Sequence, residues 1–470
     1  MSGLVWRCIR FAAGCSGNSS RNRGRLAAAA LIAAAATVSA QPRTFVVAPD
    51  GTDRAVGTLE APLRTLDAAV QRVKPGDIIE LRAGTYDGAI IRNPGTADAW
   101  ITLRAHAKER AVIQGTGRGP SIYFYHRTCD EEAPKGTVCQ PMYWEVRGLE
   151  VRGSADGQEE GYAIKIDTPR VRLLDNDLCC SRVDVVKLVR TADDVEIIHN
   201  RIHHPNAKIG DNAQGIDIVG ADRTRVAFNN VHDIPSIGIY AKGNSRNTVF
   251  EFNRVERTWS NAIMLGQETD DDRLVDGPYE TYDGVIRDNV ISEVGWACLA
   301  TSSSWRPRIH NNTCWNTGLL THGSVLVSNE SEIHQGGTDV AITNNLIVGG
   351  SKLPFIRITS DAMSDARTLV IDRNVYAMRT GAPGLFSWED KRVERVGLER
   401  WRDATGLDRH SVVLPTAEGL FVDTNALQPK AGGVAWDAKL IAEPAVAGCP
   451  PRPVVGARLP CPAEAVGPRP

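Results

Sequence analysis

Eight asparagines place the strongest constraint on what this chain can fold into. Asn176, Asn200, Asn229, Asn253, Asn289, Asn312, Asn345 and Asn374 each have an apolar residue three positions before: Leu173, Ile197, Val226, Phe250, Ile286, Ile309, Ile342 and Ile371. Two positions after each comes another apolar or sulfur-bearing residue: Leu178, Ile202, Val231, Val255, Ile291, Cys314, Ile347 and Tyr376. Successive asparagines lie 23 to 36 residues apart. The shorter intervals match one coil of a parallel β-helix, and the longer ones read as coils carrying loop insertions. Apolar side chains at fixed offsets point inward and stack on the same position of the next coil. An Asn at the turn tolerates the left-handed region and can ladder with the Asn above and below. Unrelated hairpins in a sandwich would instead show two-residue Asn-Gly or Asp-Gly turns at shorter spacing. The repeat therefore predicts an all-β solenoid.

Composition agrees. The 470 residues are 42% apolar, enough for a sizeable core, and 43 Gly, 25 Pro and only 23% charged residues favour turns and short strands over charged surface helices. With 54 basic and 56 acidic residues the net charge is -2, so no global basic field would draw nucleic acid, and an anionic substrate needs a local basic patch.

Residues 1 to 40 carry Arg7, Arg10, Arg21, Arg23 and Arg25, no acid, an apolar run from Leu26 to Val38, and then Val38-Ser39-Ala40. This is the order of a secretory signal, and the run is short for a membrane span. A secreted or periplasmic protein starting near Gln41 is expected, with no membrane span after cleavage. The eight cysteines beyond the leader permit disulfides. Short spacings favour Cys129 with Cys139, Cys298 with Cys314 and Cys449 with Cys461, whereas the adjacent Cys179 and Cys180 are expected not to pair.

The opening of the mature chain reads Val47-Ala48-Pro49-Asp50-Gly51-Thr52, Gly57-Thr58, Ala61-Pro62-Leu63-Arg64-Thr65-Leu66, Lys74-Pro75-Gly76-Asp77-Ile78-Ile79 and Ala83-Gly84-Thr85-Tyr86. With the closing stretch from Glu399-Arg400-Trp401 to Arg409-His410-Ser411, it resembles the bacterial right-handed parallel β-helix proteins of the pectin-lyase-like superfamily. That resemblance, spanning roughly 42 to 425, implies a single right-handed solenoid with an N-terminal cap helix and an irregular C-terminal extension. Leu66, Ala69, Val70 and Val73 fall at helical spacing behind Thr65 as N-cap. The expected organisation is 1–40 signal, 41–125 cap and first coils, 126–380 repeats, and 381–470 closing segment with a Pro-rich tail.

Aligning the second strand of each coil gives Ile164-Lys165-Ile166-Asp167, Val186-Lys187-Leu188-Val189, Ile216-Asp217-Ile218-Val219, Ile239-Tyr240-Ala241-Lys242 and Ile263-Met264-Leu265-Gly266. With the apolar members inward, Lys165, Lys187, Asp217 and Tyr240 share one solvent-facing column, and Asp167 and Lys242 share the next. Neighbouring lysines disfavour one another's charged form, which suits a base, while Asp217 pulls the other way. Such a mixed column reads as a site. Asp184, His203, His204, Asp211, Arg223, Arg246 and Glu268 flank it. Weaker candidates are an acidic run at Asp270-Asp271-Asp272, and Trp296, Trp305 and Trp315 as a sugar platform.

The superfamily includes polysaccharide lyases that cleave uronate chains by β-elimination. Carried over residue by residue, the resemblance implies Lys187 or Lys242 as base, with Tyr240 beside them. It gives Asp184 and Asp217 as calcium ligands, and Arg223 and Arg246, with Lys165, as substrate binders. The sequence lacks the Arg-His-Gly segment of family 6 and the clustered Asp-Asp-Gly of family 9. The expected partner is an acidic polysaccharide, and a monomer is expected. A C5-epimerase, a glycoside hydrolase using Asp184, Asp211 or Asp217, and a noncatalytic glycan-binding solenoid are the alternatives. Replacing Lys187 or Lys242 is expected to leave stability nearly unchanged, as for any exposed lysine.

Overall fold

The computed structural model describes residues 41–437 and 452–458, apart from 118, 131, 135, 155–159, 204–205, 271–273, 330–333, 380 and 382. The proposed leader and the Cys449 to Cys461 pair lie outside the described residues. Each coil contributes one strand to each of three sheets, and each sheet has twelve strands among the described residues. The first runs from Thr44–Val47 to Val370–Asp372, the second from Ala89–Ile91 to Phe386–Trp388 and on to Val393–Val396, and the third from Gly84–Asp87 to Val412–Leu414. Within these three sheets, among the described residues, successive coils pair in parallel and only the closing strand Val393–Val396 of the second sheet pairs antiparallel. The result is a right-handed parallel β-helix.

The asparagine ladder is continuous. Each ladder Asn donates its backbone N–H and its side-chain Nδ2 to the Oδ1 of the next, at 2.8 to 3.1 Å, from Asn176 through Asn374. These buried amides therefore satisfy one another. The left-handed residue is not the Asn, as the turn argument had it, but the one before: Asp175, His199, Phe228, Phe252, Asp288, Asn311, Asn344 and Arg373 all have φ between 55° and 60° or close to it. Shifting the kink by one residue turns the Asn side chain inward, where the ladder needs it. Outside, His199, Phe228 and Phe252 stack at 4.9 and 5.1 Å.

Both ends of the solenoid are closed by apolar side chains. Leu66–Val70 forms a short helix with Thr65 as N-cap, burying Leu66, Ala69 and Val70. At the other end the helix Leu398–Thr405 buries Trp401, which stacks on Phe386. The last ladder residue, Asn374, donates to Ser411 Oγ (2.9 Å), and Ser411 donates to Asp408. Asp408 also accepts from the Tyr376 hydroxyl and Trp401 Nε1, both at 2.9 Å. The tail is less irregular than the sequence suggests. It pairs Phe421–Asp423 with Gln428–Pro429 and lays Ala417, Leu420, Ala435 and Val455 over Leu346, Val348, Val375 and Ala377 on the outside of the third sheet.

Cys129 pairs with Cys139 and Cys298 with Cys314. Contrary to expectation, Cys179 and Cys180 are bonded to each other. Cys180 takes φ 67° at the end of the strand Asp177–Cys179, and this turn folds its side chain back onto its neighbour.

Candidate functional site

The register sets Ile90, Tyr123, Lys165, Lys187, Asp217, Tyr240 and Met264 side by side on the outer face of the second sheet. Lys242 pairs with Val219 in the neighbouring column. One part of the expectation fails: the column does not face solvent. Lys165 is 4% exposed, Asp217 2% and Tyr240 1%. Segments between the sheets cover it, and each buried charge has a partner, which is the condition under which burial is tolerated.

Lys165 bonds Glu160 at 3.2 Å and lies over the rings of Tyr123 and Tyr162. Lys187 bonds Asp217 and sits 4.0 Å from Asp184. The two lysines are direct neighbours in register, but each has its own carboxylate. Asp184 accepts from Gln214 N at 2.8 Å. Burial, reinforced by the negative charge of Asp217, holds Asp184 well above the usual carboxylate range. Burial also acts to raise Asp217, but Lys187 and Lys242 outweigh it and hold that carboxyl low. Of the pair, Asp184 is thus the member that favours its protonated form and Asp217 the one that favours its ionised form. Tyr240 is pushed up by burial and by Asp217, so its phenol stays protonated.

Lys242 lies two coils from Lys187. Its Nζ donates to Glu268 O at 3.1 Å and sits 5.6 Å from the centre of the Tyr240 ring. The next residue, Gly243, has φ 66°, a left-handed turn that glycine adopts at no steric cost. Its N–H donates to Glu280 (2.8 Å), a fully buried carboxylate that also accepts from Thr269 N and Oγ1 and meets His334 Nδ1 at 3.1 Å. Glu280 thus fixes the turn that aims Lys242. Sequence reasoning missed it because it lies in a loop insertion with no periodicity. Nothing in the sequence sets it apart from Asp276, Asp283 and Asp288 in the same interval between Asn253 and Asn289.

The other candidates are not gathered here. Arg223 occupies a left-handed corner and is held by Asp193 and Asp194, which raise it above its ordinary value, while Arg246 pairs with Asp276 and stacks on Tyr282. His203 bonds Asp177 and stacks on His232 at 5.0 Å, on the third sheet. Asp211 is exposed and accepts from Lys208 N. His204, Asp271 and Asp272 lie outside the described residues. Trp296 meets Trp259 and His322, Trp305 meets Tyr279, and Trp315 meets Phe421, so the three tryptophans form no common platform.

Asp184 and Asp217 do not fit calcium in this arrangement. The Lys187 ammonium already takes the place a cation would hold between them, and among the described residues no three His, Cys, Asp or Glu side chains converge on a point. Calcium coordination takes six to eight oxygens.

Two family models match the chain: "Pel9A-like, right handed beta helix region" over residues 45–177 and "Right handed beta helix region" over 188–347. Pectate lyase PEL9 of Emericella nidulans is 43% identical over 72 residues, 15% of this chain and 18% of that protein. The uncharacterized protein YwoF of Bacillus subtilis is 30% identical over 121 residues, 26% of this chain and 24% of that one. Each match thus spans less than a quarter of the curated relative. Among solved structures, XylC in complex with xylose aligns with a TM-score of 0.49 at 11% identity, covering 79% of this chain and 82% of that one. Pectate lyase Pel9A aligns at 0.41 and 14%, covering 84% and 91%.

Proposed function

Since the chain belongs to the right-handed β-helix proteins of the pectin-lyase-like superfamily, we propose that it cleaves a uronate-containing glycan by β-elimination on the outer face of its second sheet. The observation that carries this reading is the placement of Lys242. Its amine is held by a backbone carbonyl and aimed by the Glu280-bound turn, beside a buried network that is charge-balanced without it.

In the reaction, Lys242 Nζ takes the C5 proton of the uronate. The electron pair of that C–H bond forms the C4–C5 double bond, the C4–O bond breaks, and the leaving oxygen takes a proton from water. The C6 carboxylate acidifies C5 when its charge is offset, and Lys187, held as an ammonium by Asp217, supplies positive charge on the same face. Lys187 is therefore an electrostatic partner and Lys242 the base. Tyr240, buried and protonated, supports the Lys242 stem.

The test is to incubate the protein with a panel of uronic-acid polymers and follow the ultraviolet absorbance of the unsaturated product. No unsaturated product across the panel would sink the proposal, and altered sugar composition at constant chain length by proton NMR would replace it with C5-epimerisation.

A further inference from the structure

The two outward columns do not stop at Lys165. Upstream, the first continues through Tyr123 to Ile90. The second, extended one residue past the strand ends, runs from Lys242 and Val219 through Val189, Asp167 and Tyr125 to Arg92; Val189 N donates to Ile166 O, Asp167 N to Phe124 O and Tyr125 N to Ile91 O. Arg92 is exposed and lies 5.2 Å from the centre of the Tyr125 ring; Tyr125 in turn meets Tyr123 at 5.2 Å. Both tyrosines are half-buried. The nearby charges are settled among themselves: Lys165 pairs with Glu160, and Tyr123 donates to Asp167. Arg92 differs. Among the described residues its guanidinium has no carboxylate partner, and only the Tyr125 ring orients it.

We infer that Arg92, Tyr125 and Tyr123 form a distal subsite for an acidic glycan, with Arg92 taking a uronate carboxylate and the tyrosines taking the apolar face of a sugar ring. An aromatic face with a preoriented guanidinium is the chemistry such a residue requires: stacking on C–H groups and a two-pronged hydrogen bond to the carboxylate. Arg92 lies five rungs from Lys242, about 24 Å at the usual strand spacing, so a chain running along the helix axis would span several sugars between them. This inference rests on the proposed function for its substrate class, while its geometry is independent of the chemistry at Lys242.

Affinity electrophoresis of the full chain through gels holding polygalacturonate, alginate or a neutral galactan tests it, with thermal midpoints measured alongside. The expected result is retardation of the wild type by an acidic polymer, weakened roughly tenfold or more in Arg92→Ala and Tyr125→Ala and partly kept in Arg92→Lys, at unchanged midpoints. In turnover assays the same variants should raise KM for long polymers and leave short oligomers unaffected. If the wild type is retarded and Arg92→Ala is retarded equally, the subsite is overturned while the lyase reading stands. If retardation depends on Arg92 but no unsaturated product forms, the subsite stands and the elimination falls. Retardation only by the neutral polymer overturns the acidic assignment, and none by any polymer overturns the subsite.

Discussion

The ammonium of Lys187 and the carboxylate of Asp217 come from adjacent strands and meet on the outer side of the second sheet, with the protonated carboxyl of Asp184 completing the group. The set carries no net charge, and that balance permits it to sit largely out of water.

Lys187 and Lys242 should therefore respond differently to replacement. Lys242→Ala should lower turnover on the productive polymer by roughly 10²–10⁴-fold and change stability by no more than about 0.5 kcal/mol. Lys187→Ala should destabilise by roughly 3 kcal/mol, because it leaves Asp217 buried without its cation. The sequence reading treated both lysines as exposed; the side chain of Lys187 is 13% exposed. Rate and urea midpoint measured on the same two variants decide this, and equal stability of the two would count against the buried-pair account.

Asp184 gives a pH signature. Its carboxyl is raised in the folded chain, so the native state holds a proton that the unfolded chain releases, and stability falls as pH rises above the ordinary carboxylate range. Asp217, held low, acts in the opposite sense: its contribution is present above that range and is lost as pH falls. Asp184→Asn mimics the protonated form. It should remove the alkaline loss and match or exceed the wild type in thermal midpoint from neutral pH upward; a lower midpoint there would show that Asp184 is ionised.

Asp408 gives a second signature at the far end. Burial raises it to about 6, against hydrogen bonds from Ser411, Trp401, Tyr376 and Asn374 that lower it. Stability carried by its protonated form is full below about 4 and is lost as pH rises to about 6, a change of roughly 3 kcal/mol. Asp408→Ala should flatten that slope and cost roughly 3 to 5 kcal/mol, because the Tyr376, Trp401 and Ser411 donors lose their acceptor. Calorimetry between pH 4 and 7 reads both effects.

Asn253 sits mid-ladder. Asn253→Ala strips the acceptor from Asn229 N and Nδ2 and the donor to Val226 O, and should cost roughly 2 to 4 kcal/mol. Asn253→Asp keeps the acceptor but sets a buried carboxylate oxygen against Val226 O and Asn289 Oδ1, and should cost at least as much. Equilibrium denaturation that shows no difference between wild type and Asn253→Ala would remove the ladder from the stability account.

How far sequence reached follows from where side-chain periodicity exists. The Asn spacing with apolar residues at fixed offsets marked the coils, because stacking repeats the same environment. The columns of Lys165, Lys187, Asp217 and Tyr240 followed from strand alternation. Their burial was not legible, since the covering segments have no repeat to align. Arg92, Tyr123 and Tyr125 were missed for a related reason. The ladder begins at the N–H of Leu149, which donates to Asn176, so upstream coils carry no asparagine to set their register; the alternation of Ile122-Tyr123-Phe124-Tyr125 against Ile164-Lys165-Ile166-Asp167 was the available signal.

The asparagine ladder also has a polarity. Every interior rung offers one oxygen to the coil before it and two N–H groups to the coil after it, so the two faces of any coil are chemically the same as those of its neighbours. For the ladder, a stretch such as the 24 residues from Asn229 to Asn253 is thus an interchangeable module: copying it in tandem would leave no ladder donor or acceptor unmatched, so the solenoid could lengthen by whole turns with its two closed ends as they are, provided the copied Gly243 and Arg246 are given counterparts of Glu280 and Asp276.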